Sequence, residues 1–532
     1  MERTLVDMVV ARARTHATTP AARHKVDGAW ADVSWPELVA QVRAVSNGLV
    51  ALGVQPGDRV AVFAPTSVAW AVVDLAIAAA RAVCVPIYPS NTPDEALFVL
   101  NDSGASVLFV DADISDGKHT GRLTRIRAVR ANASSVRHVV TLSGAAGDDV
   151  ISLDALVARG RQSDGFDARA AAIEPSDLCH FIYTSGTTGN PKGVMLSHGN
   201  WAFEAASVRN LDVMVNDDAV MLFLPLAHSF AQAVKAAWVA IGFTMVFAES
   251  VEKVVGNLSE TRPTIFPAVP RLFEKVFAGV QSSATSAPGV KGQLGRWAFG
   301  QFDAYCEAHQ AGRAYDSVQW RLAKVLVFRK VRTALDEKLG GRMRLFVSGG
   351  APLSRKIGLF FEMLGITVCE GYGLTETSGP STINVPGATK IGTVGRALPE
   401  TEVAIAADGE VLLRGPHIMR GYHRHEAATA EVLTADGWFH SGDIGEIDGD
   451  GYVRITDRKK DIIVTAGGKN VAPQNLENLL KTFPLVSQSM VYGDKRPYLT
   501  VLLTVNEEVA RKVVTDSGSA APSTYAELAA HP

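Results

Sequence analysis

After Ser34, the apolar residues Leu38, Val42, Val45, Leu49 and Leu52 follow one another at intervals of four, three, four and three, the spacing of one helix face. Ser34 with Pro36 and Glu37 sets a capping box at the head of that stripe, so an amphipathic helix is predicted there. Gln55 to Asp58 then turn the chain into the apolar run Val60 to Phe63. Thr92, Pro93 and Glu95 open a second capped helix ahead of the run Val107 to Val110. Alternating helix and strand predicts an α/β fold. The most apolar stretch, Val68 to Tyr88, is interrupted by Asp74 and Arg81 and ends in Pro86 and Pro89, which suits a helix packed in the core better than a bilayer span. No transmembrane helix is predicted.

Three later apolar runs end in glycine-rich turns: His180 to Tyr183 before Thr184 to Gly189, Leu345 to Val347 before Ser348 to Ala351, and Ile366 to Cys369 before Gly371 to Gly373. Ligands collect outside the carboxyl ends of strands in open α/β sheets, so three such turns can line one crevice. Beyond about residue 400 the pattern changes to alternating strands with tight turns, as at Asp408-Gly409, and predicts a smaller β-rich subdomain. From Asp461 onward a strand, a turn, a helix around Gln474 to Thr482 and strands near Met490 and Tyr498 to Val505 read as a separate α+β unit.

Composition narrows the class. Of the 532 residues, 47% are hydrophobic and 20% charged, which excludes a disordered, collagen-like or disulfide-scaffold chain. The net charge of -3 denies the protein the broad basic footprint that phosphate-backbone binding requires, so nucleic acid is not an expected partner. Cys84, Cys179, Cys306 and Cys369 lie far apart with no CxxC pair, which indicates neither a zinc site nor a disulfide frame and fits a reducing cytoplasm. The first twenty residues mix both charge signs without a continuous apolar run, so no secretory signal is read. After a Ser-, Gly- and Ala-rich stretch around Ser282 to Gly295, a helical region carries Arg321, Lys324, Arg329, Lys330 and Arg332 beside Val325, Leu326 and Phe328. Two readings fit it: a helix in peripheral contact with a membrane, or an inserted helix packed on the body with a solvated basic side.

The strongest chemical signal is Tyr183-Thr-Ser-Gly-Thr-Thr-Gly-Asn-Pro-Lys-Gly193, a run of small residues and hydroxyls with one lysine that can wrap N–H and side-chain donors around a polyphosphate. Lys192 follows Pro191 and precedes Gly193, which departs from the GxxxxGK[ST] spacing and disfavours a conventional P-loop NTPase. The string resembles the nucleotide loop of the adenylate-forming superfamily of acyl-CoA synthetases, luciferases and peptide-synthetase adenylation domains. Motifs similar to that family's follow in order as Leu224-Pro-Leu-Ala-His228, Ser348-Gly-Gly-Ala-Pro-Leu353, Gly371-Tyr-Gly-Leu-Thr-Glu-Thr377, Trp438-Phe-His-Ser-Gly-Asp443, Asp457-Arg-Lys-Lys-Asp461 and Gly467 to Pro473, so the resemblance covers nearly the whole chain.

The resemblance implies a large N-terminal adenylation body over 1–457, with mixed sheets flanked by helices and a small β-rich subdomain. A hinge at 458–460 around Lys460 and a truncated α+β C-terminal domain over 461–532 follow. It also implies a reaction: a carboxylate attacks the α-phosphorus of ATP, expels pyrophosphate, and the acyl-adenylate is captured by a thiol as a thioester. Negative charge meets negative charge, so catalysis rests on positioning and on cations or N–H donors rather than on a protein nucleophile. By resemblance Thr184, Ser185, Gly186, Thr187, Thr188 and Gly189 hold the β- and γ-phosphates with Lys192, Thr375 contacts the phosphate, and Glu376 is an oxygen ligand for Mg²⁺. Asp443 accepts hydrogen bonds from the ribose hydroxyls, Arg458 reaches the same sugar from the hinge, and Gly350, Ala351, Tyr372 and Gly373 line the adenine. His228 lies by the carboxylate end of the acyl pocket and orients substrate or stabilises charge; a carboxylate already ionised at neutral pH needs no general base.

The helical region from about 276 to 340 and the GGKNVAP string look most like the long-chain fatty acyl-CoA synthetase branch, with ATP, Mg²⁺ and coenzyme A as cofactor and co-substrates. A carrier-protein phosphopantetheine remains an alternative acceptor, and a non-catalytic binder of ATP or acyl-adenylate an alternative function. Phe223, Phe230, Val234 and Trp238 read either as walls of an acyl tunnel, where each buried methylene contributes about 0.8 kcal/mol, or as ordinary core. The family's late C-terminal lysine, which meets the carboxylate and α-phosphate, has no counterpart among Lys469, Lys481, Lys495 and Lys512, so weakened adenylation is expected.

Overall fold

Both capping boxes form. Ser34 and Thr92 accept from the backbone N–H three residues on, and the Glu37 and Glu95 carboxylates accept from the cap N–H groups, starting the helices Trp35–Ala51 and Pro93–Ser103. The computed structural model describes residues 2–111, 121–143, 149–184, 190–466, 470–520 and 522–531.

The apolar stretch Val68 to Tyr88 is not one helix. It divides into the helix Val68–Ala79 and the strand Val83–Ile87, with Arg81 at φ 61 between them. The Val83 N–H donates to the Asp58 carbonyl at 2.8 Å, which starts the strand in parallel register with Arg59–Phe63. A parallel strand buried on both faces is a continuous apolar run and cannot be told from buried helix by period alone.

Among the described residues, two large mixed sheets organise the body. One has eight strands and runs from Gly421–Tyr422 through Lys192–Ser197, Leu178–Thr184, Val83–Ile87 and Arg59–Phe63 to Val107–Val110 and beyond. The other has nine strands, with Thr367–Gly373, Leu345–Ser348, Ile265–Ala268, Ala219–Leu222 and Thr244–Phe247 parallel at its centre. Helices cover both. A four-stranded antiparallel sheet of Glu402–Ile405, Glu410–Arg414, Phe439–Ile447 and Val453–Arg458 forms the β-rich unit. Beyond it lie two hairpins, Ile463–Val464 with Asn470–Val471 and Val486–Tyr492 with Thr500–Val505, and the helix Pro473–Leu480.

The inserted helical region consists of Pro270–Thr285, Val290–Gln310, Val318–Ala323, a π-turn at Lys324–Phe328, and Arg329–Lys338. Phe277, Phe299, Phe302, Phe328 and Phe360 meet there edge to face in a buried cluster that fixes these helices to the body. Between the large sheets, the Asp74 carboxylate is fully buried, paired with the Lys235 ammonium and with His180 Nε2 at 2.8 Å. Burial alone would push the Asp74 carboxyl up; Lys235 and His180 reverse this and hold it well below the usual carboxylate range. Cys84 joins Asp74 and His180 in the one cluster of metal-ligand type found among the described residues, but the ammonium already seated on the carboxylate makes it an ion pair rather than a cation site. All four cysteines are free, and no described helix is long and apolar enough to cross a membrane.

Candidate functional site

The site forms where the carboxyl ends of strands from both large sheets approach one another. Leu178–Thr184 and Lys192–Ser197 make an antiparallel hairpin with Thr184 opposite Lys192, which puts the lysine at the root of the phosphate loop. Ser185, Gly186, Thr187, Thr188 and Gly189 lie outside the described residues.

Lys192 Nζ stands 5.1 Å from the centre of the Tyr422 ring, and the Tyr422 hydroxyl donates to Glu376 Oε1 at 2.8 Å. Tyr422 belongs to the eight-stranded sheet, because Gly421–Tyr422 pairs with Val194 and Met195. Glu376 sits in a single 3-10 turn, Thr375–Thr377, that follows Thr367–Gly373 of the nine-stranded sheet. The tyrosine therefore joins the loop lysine to the expected metal ligand across the two sheets. Burial and the adjacent carboxylate push the Tyr422 phenol well up, so it stays a donor. Tyr422 was not among the residues expected from the sequence; its only signal is an aromatic after glycine outside every matched motif.

Thr367–Gly373 has two functional faces. Gly371 and Gly373 turn towards a cavity also lined by His228, Phe230, Gly350 and Ile383. A side chain at Gly373 is excluded, since its Cβ would meet the Gly379 carbonyl oxygen at 1.8 Å. On the other face the Tyr372 hydroxyl donates to Asp443 Oδ2 at 2.7 Å. Arg458 Nε lies 2.9 Å from Asp443 Oδ1, and the two residues are register partners in the β-rich sheet. Burial raises the Asp443 carboxyl, and Arg458 and Tyr372 oppose that rise. Tyr372, Asp443 and Arg458 are thus together; Gly350, at φ 80, and Ala351 follow the strand Leu345–Ser348, and Gly350 lines the cavity beside His228. Further back along the strand Thr367–Gly373 a separate cavity of about 350 Å³ is bordered by Leu353, Arg355, Glu370 and Asn384, and neither Tyr372 nor Asp443 lines it; burial pushes the Glu370 carboxyl up to about 8.

His228 caps the helix Ser229–Ile241, its Nδ1 accepting from the Phe230 N–H at 3.1 Å. That contact leaves Nε2 as the protonated nitrogen of the neutral ring. Burial lowers the His228 pKa, so the ring is a neutral donor at pH 7. Thr66 fixes the preceding segment by donating to the Leu224 carbonyl and accepting from the Leu226 N–H, each at 2.8 Å. Ser229 Oγ approaches Thr375 Oγ1 at 3.4 Å, linking the histidine helix to the Glu376 turn.

Of the four candidate tunnel residues, Phe230 faces the glycine-lined cavity. Trp238 and Val234 belong to the core: the Trp238 indole is fully buried, donates to the Ala21 carbonyl at 2.8 Å and packs on Trp35. Phe223 packs on Phe266.

Comparison with known proteins agrees with this geometry. Residues 10–423 match the family model described as AMP-binding enzyme, and residues 460–520 that of the AMP-binding enzyme C-terminal domain. The chain is similar to "Long-chain-fatty-acid--CoA ligase FadD15" of Mycobacterium tuberculosis, 39% identical over 95% of this chain and 83% of that protein. It is also similar to "Long chain acyl-CoA synthetase 7, peroxisomal" of Arabidopsis thaliana, 33% identical over 97% of this chain and 75% of that one. A solved structure of a Mycobacterium tuberculosis fatty acyl CoA synthetase superposes with a TM-score of 0.66 at 25% identity, covering 98% of this chain and 93% of that one. With the family model spanning residues 10–423, and with the strand Thr367–Gly373 carrying Tyr372 against the buried Asp443 and leading into the turn that holds Glu376, this chain belongs to the AMP-binding enzyme family.

Proposed function

We propose that this chain joins a long-chain fatty acid to coenzyme A, converting ATP to AMP and pyrophosphate through an acyl-adenylate. The observation that carries the reading is the two-faced strand Thr367–Gly373: its tyrosine face meets Asp443 and Arg458, and its glycine face meets His228 and Phe230. The tyrosine face suits a nucleoside, with a buried carboxylate for ribose hydroxyls and a ring for the base. The glycine face, with a cavity of about 60 Å³, suits the carboxylate end of an acyl chain, which receives the His228 Nε2–H. The relatives' names supply the long-chain acid and the thiol.

A carboxylate oxygen forms a bond to the α-phosphorus while the bond from that phosphorus to the bridging oxygen breaks, its electron pair leaving with pyrophosphate. The thiolate of coenzyme A then attacks the acyl carbon, and AMP departs with the oxygen that had linked the two. Lys192 and the hydroxyls of the Thr184 loop offer positive charge and donors to the leaving phosphates, while His228 holds the attacking carboxylate without taking its proton. The half-buried Glu376 carboxylate, oriented by Tyr422, fits Mg²⁺ as a hard-oxygen ligand. That ion would neutralise phosphate charge.

Incubation with ATP, Mg²⁺, palmitate and coenzyme A, followed by mass analysis, tests the proposal. Palmitoyl-CoA with AMP supports it. Palmitoyl-AMP alone would favour loading of a carrier protein, and neither product would reduce the chain to a binder.

A further inference from the structure

The inserted helical region is anchored on one side and apolar on the other. Trp320, Ala323, Val327 and Phe328 are buried in the phenylalanine cluster. Val318, Leu322, Val325 and Leu326 point outward, with relative exposures of 73%, 47%, 59% and 42%. Their positions, i, i+4, i+7 and i+8, fall on one helix face. The wider π geometry at Lys324–Phe328 keeps three successive residues outside before two turn in. Isolated exposed apolar residues are ordinary; four on one face of a well-anchored helix are not.

Charge says what covers them. From Arg313 to Lys338 the segment has seven Lys and Arg against Asp316, Asp336 and Glu337, in a chain whose net charge is -3. Asp316 is taken up by Arg321 and Asp336 by Arg332, whereas Lys324, Arg329 and Lys330 are exposed and form no salt bridge among the described residues, Lys324 feeling Asp316 only at longer range. Lys324 lies over the Trp320 ring, so its charge stands beside the stripe. We propose that the outer face from Val318 to Lys330 docks on an anionic lipid surface, the apolar stripe entering the headgroup boundary while Lys324, Arg329 and Lys330 meet lipid phosphates. This goes beyond the ligase reading and needs no substrate.

Sedimentation of the full chain with phosphatidylglycerol–phosphatidylcholine vesicles, without ATP or acid, tests it. Binding is expected to anionic vesicles, to weaken in high salt, and to be slight on pure phosphatidylcholine. Arg329→Gln with Lys330→Gln should reduce partitioning about 30-fold, at roughly fivefold per basic residue. Leu322→Gln with Leu326→Gln should reduce it at least about tenfold by removing apolar contact. All four positions are exposed, and unaltered circular dichroism would verify folding. Equal binding to neutral vesicles, or double variants that bind like the parent, would overturn the proposal. A dimer in buffer that the leucine substitutions dissociate would do so too, by assigning the face to a second copy.

Discussion

Replacing Tyr422 with Phe removes one oxygen atom and keeps the ring beneath Lys192, so it isolates the hydrogen bond to Glu376. A hydrogen bond to a charged group contributes about 1.5–3 kcal/mol, equivalent to roughly 10- to 150-fold in a rate constant. Glu376 is half-buried and water can partly replace the phenol, which selects the lower end. We predict that Tyr422→Phe lowers kcat/KM for Mg-ATP about tenfold and leaves KM for the fatty acid nearly unchanged, since neither Tyr422 nor Glu376 lines the cavity beside His228. The assay is pyrophosphate release at saturating palmitate with ATP varied. Tyr422→Ala should lose more, because Lys192 then also loses the ring. If a folded Tyr422→Phe protein matched the parent within about twofold, the tyrosine would not orient Glu376 for the reaction.

Glu376→Ala should abolish product formation, and unchanged turnover would contradict its metal role. Asp443→Asn weakens the acceptor that Tyr372 and Arg458 hold, and AMP affinity measured by calorimetry should fall at least about tenfold; an unaltered value would remove the ribose assignment. Lys235→Met leaves the Asp74 carboxylate buried without its ammonium and should cost about 3–5 kcal/mol in urea unfolding; no loss would mean the pair is not held as described. Burial holds His198 and His417 down to about 4, below the ordinary histidine value. The unfolded chain therefore takes up their protons first. The stability they contribute is complete above about pH 6.5 and is lost as pH falls towards 4, at up to about 1.4 kcal/mol per unit for each. Denaturation midpoints at pH 7 and pH 5 should differ accordingly, and equal midpoints would contradict the burial.

Much of this was legible in the sequence because local chemistry decided it. Ser34 and Thr92 cap helices by bonds within four residues, and the glycines that end apolar runs mark strand ends whatever surrounds them. Pairings that depend on distant register were not legible. Tyr422 reaches Glu376 only because a two-residue strand docks on Val194 and Met195, and Trp238 is held in the core by the Ala21 carbonyl, from the next-to-last strand of the nine-stranded sheet. The stretch Val68 to Tyr88 reads as helix throughout because a buried strand and a buried helix share one apolar signature; only Val68–Ala79 is helix, and Arg81 at positive φ separates it from the strand. Arg458 lies in strand register with Asp443, a closer tie than a hinge motif alone suggests.

The central claim is that a fatty carboxylate attacks the α-phosphorus of ATP at the carboxyl end of the strand Thr367–Gly373, the nucleoside held on the face of Tyr372 and Asp443 and the acid on the face of His228, with Glu376 in the turn that follows. Palmitate carrying oxygen-18 in its carboxyl group, turned over with ATP and coenzyme A, reports that bond directly. The account predicts AMP bearing one labelled oxygen and pyrophosphate bearing none; label in pyrophosphate or phosphate, or unlabelled AMP alongside palmitoyl-CoA, would contradict it.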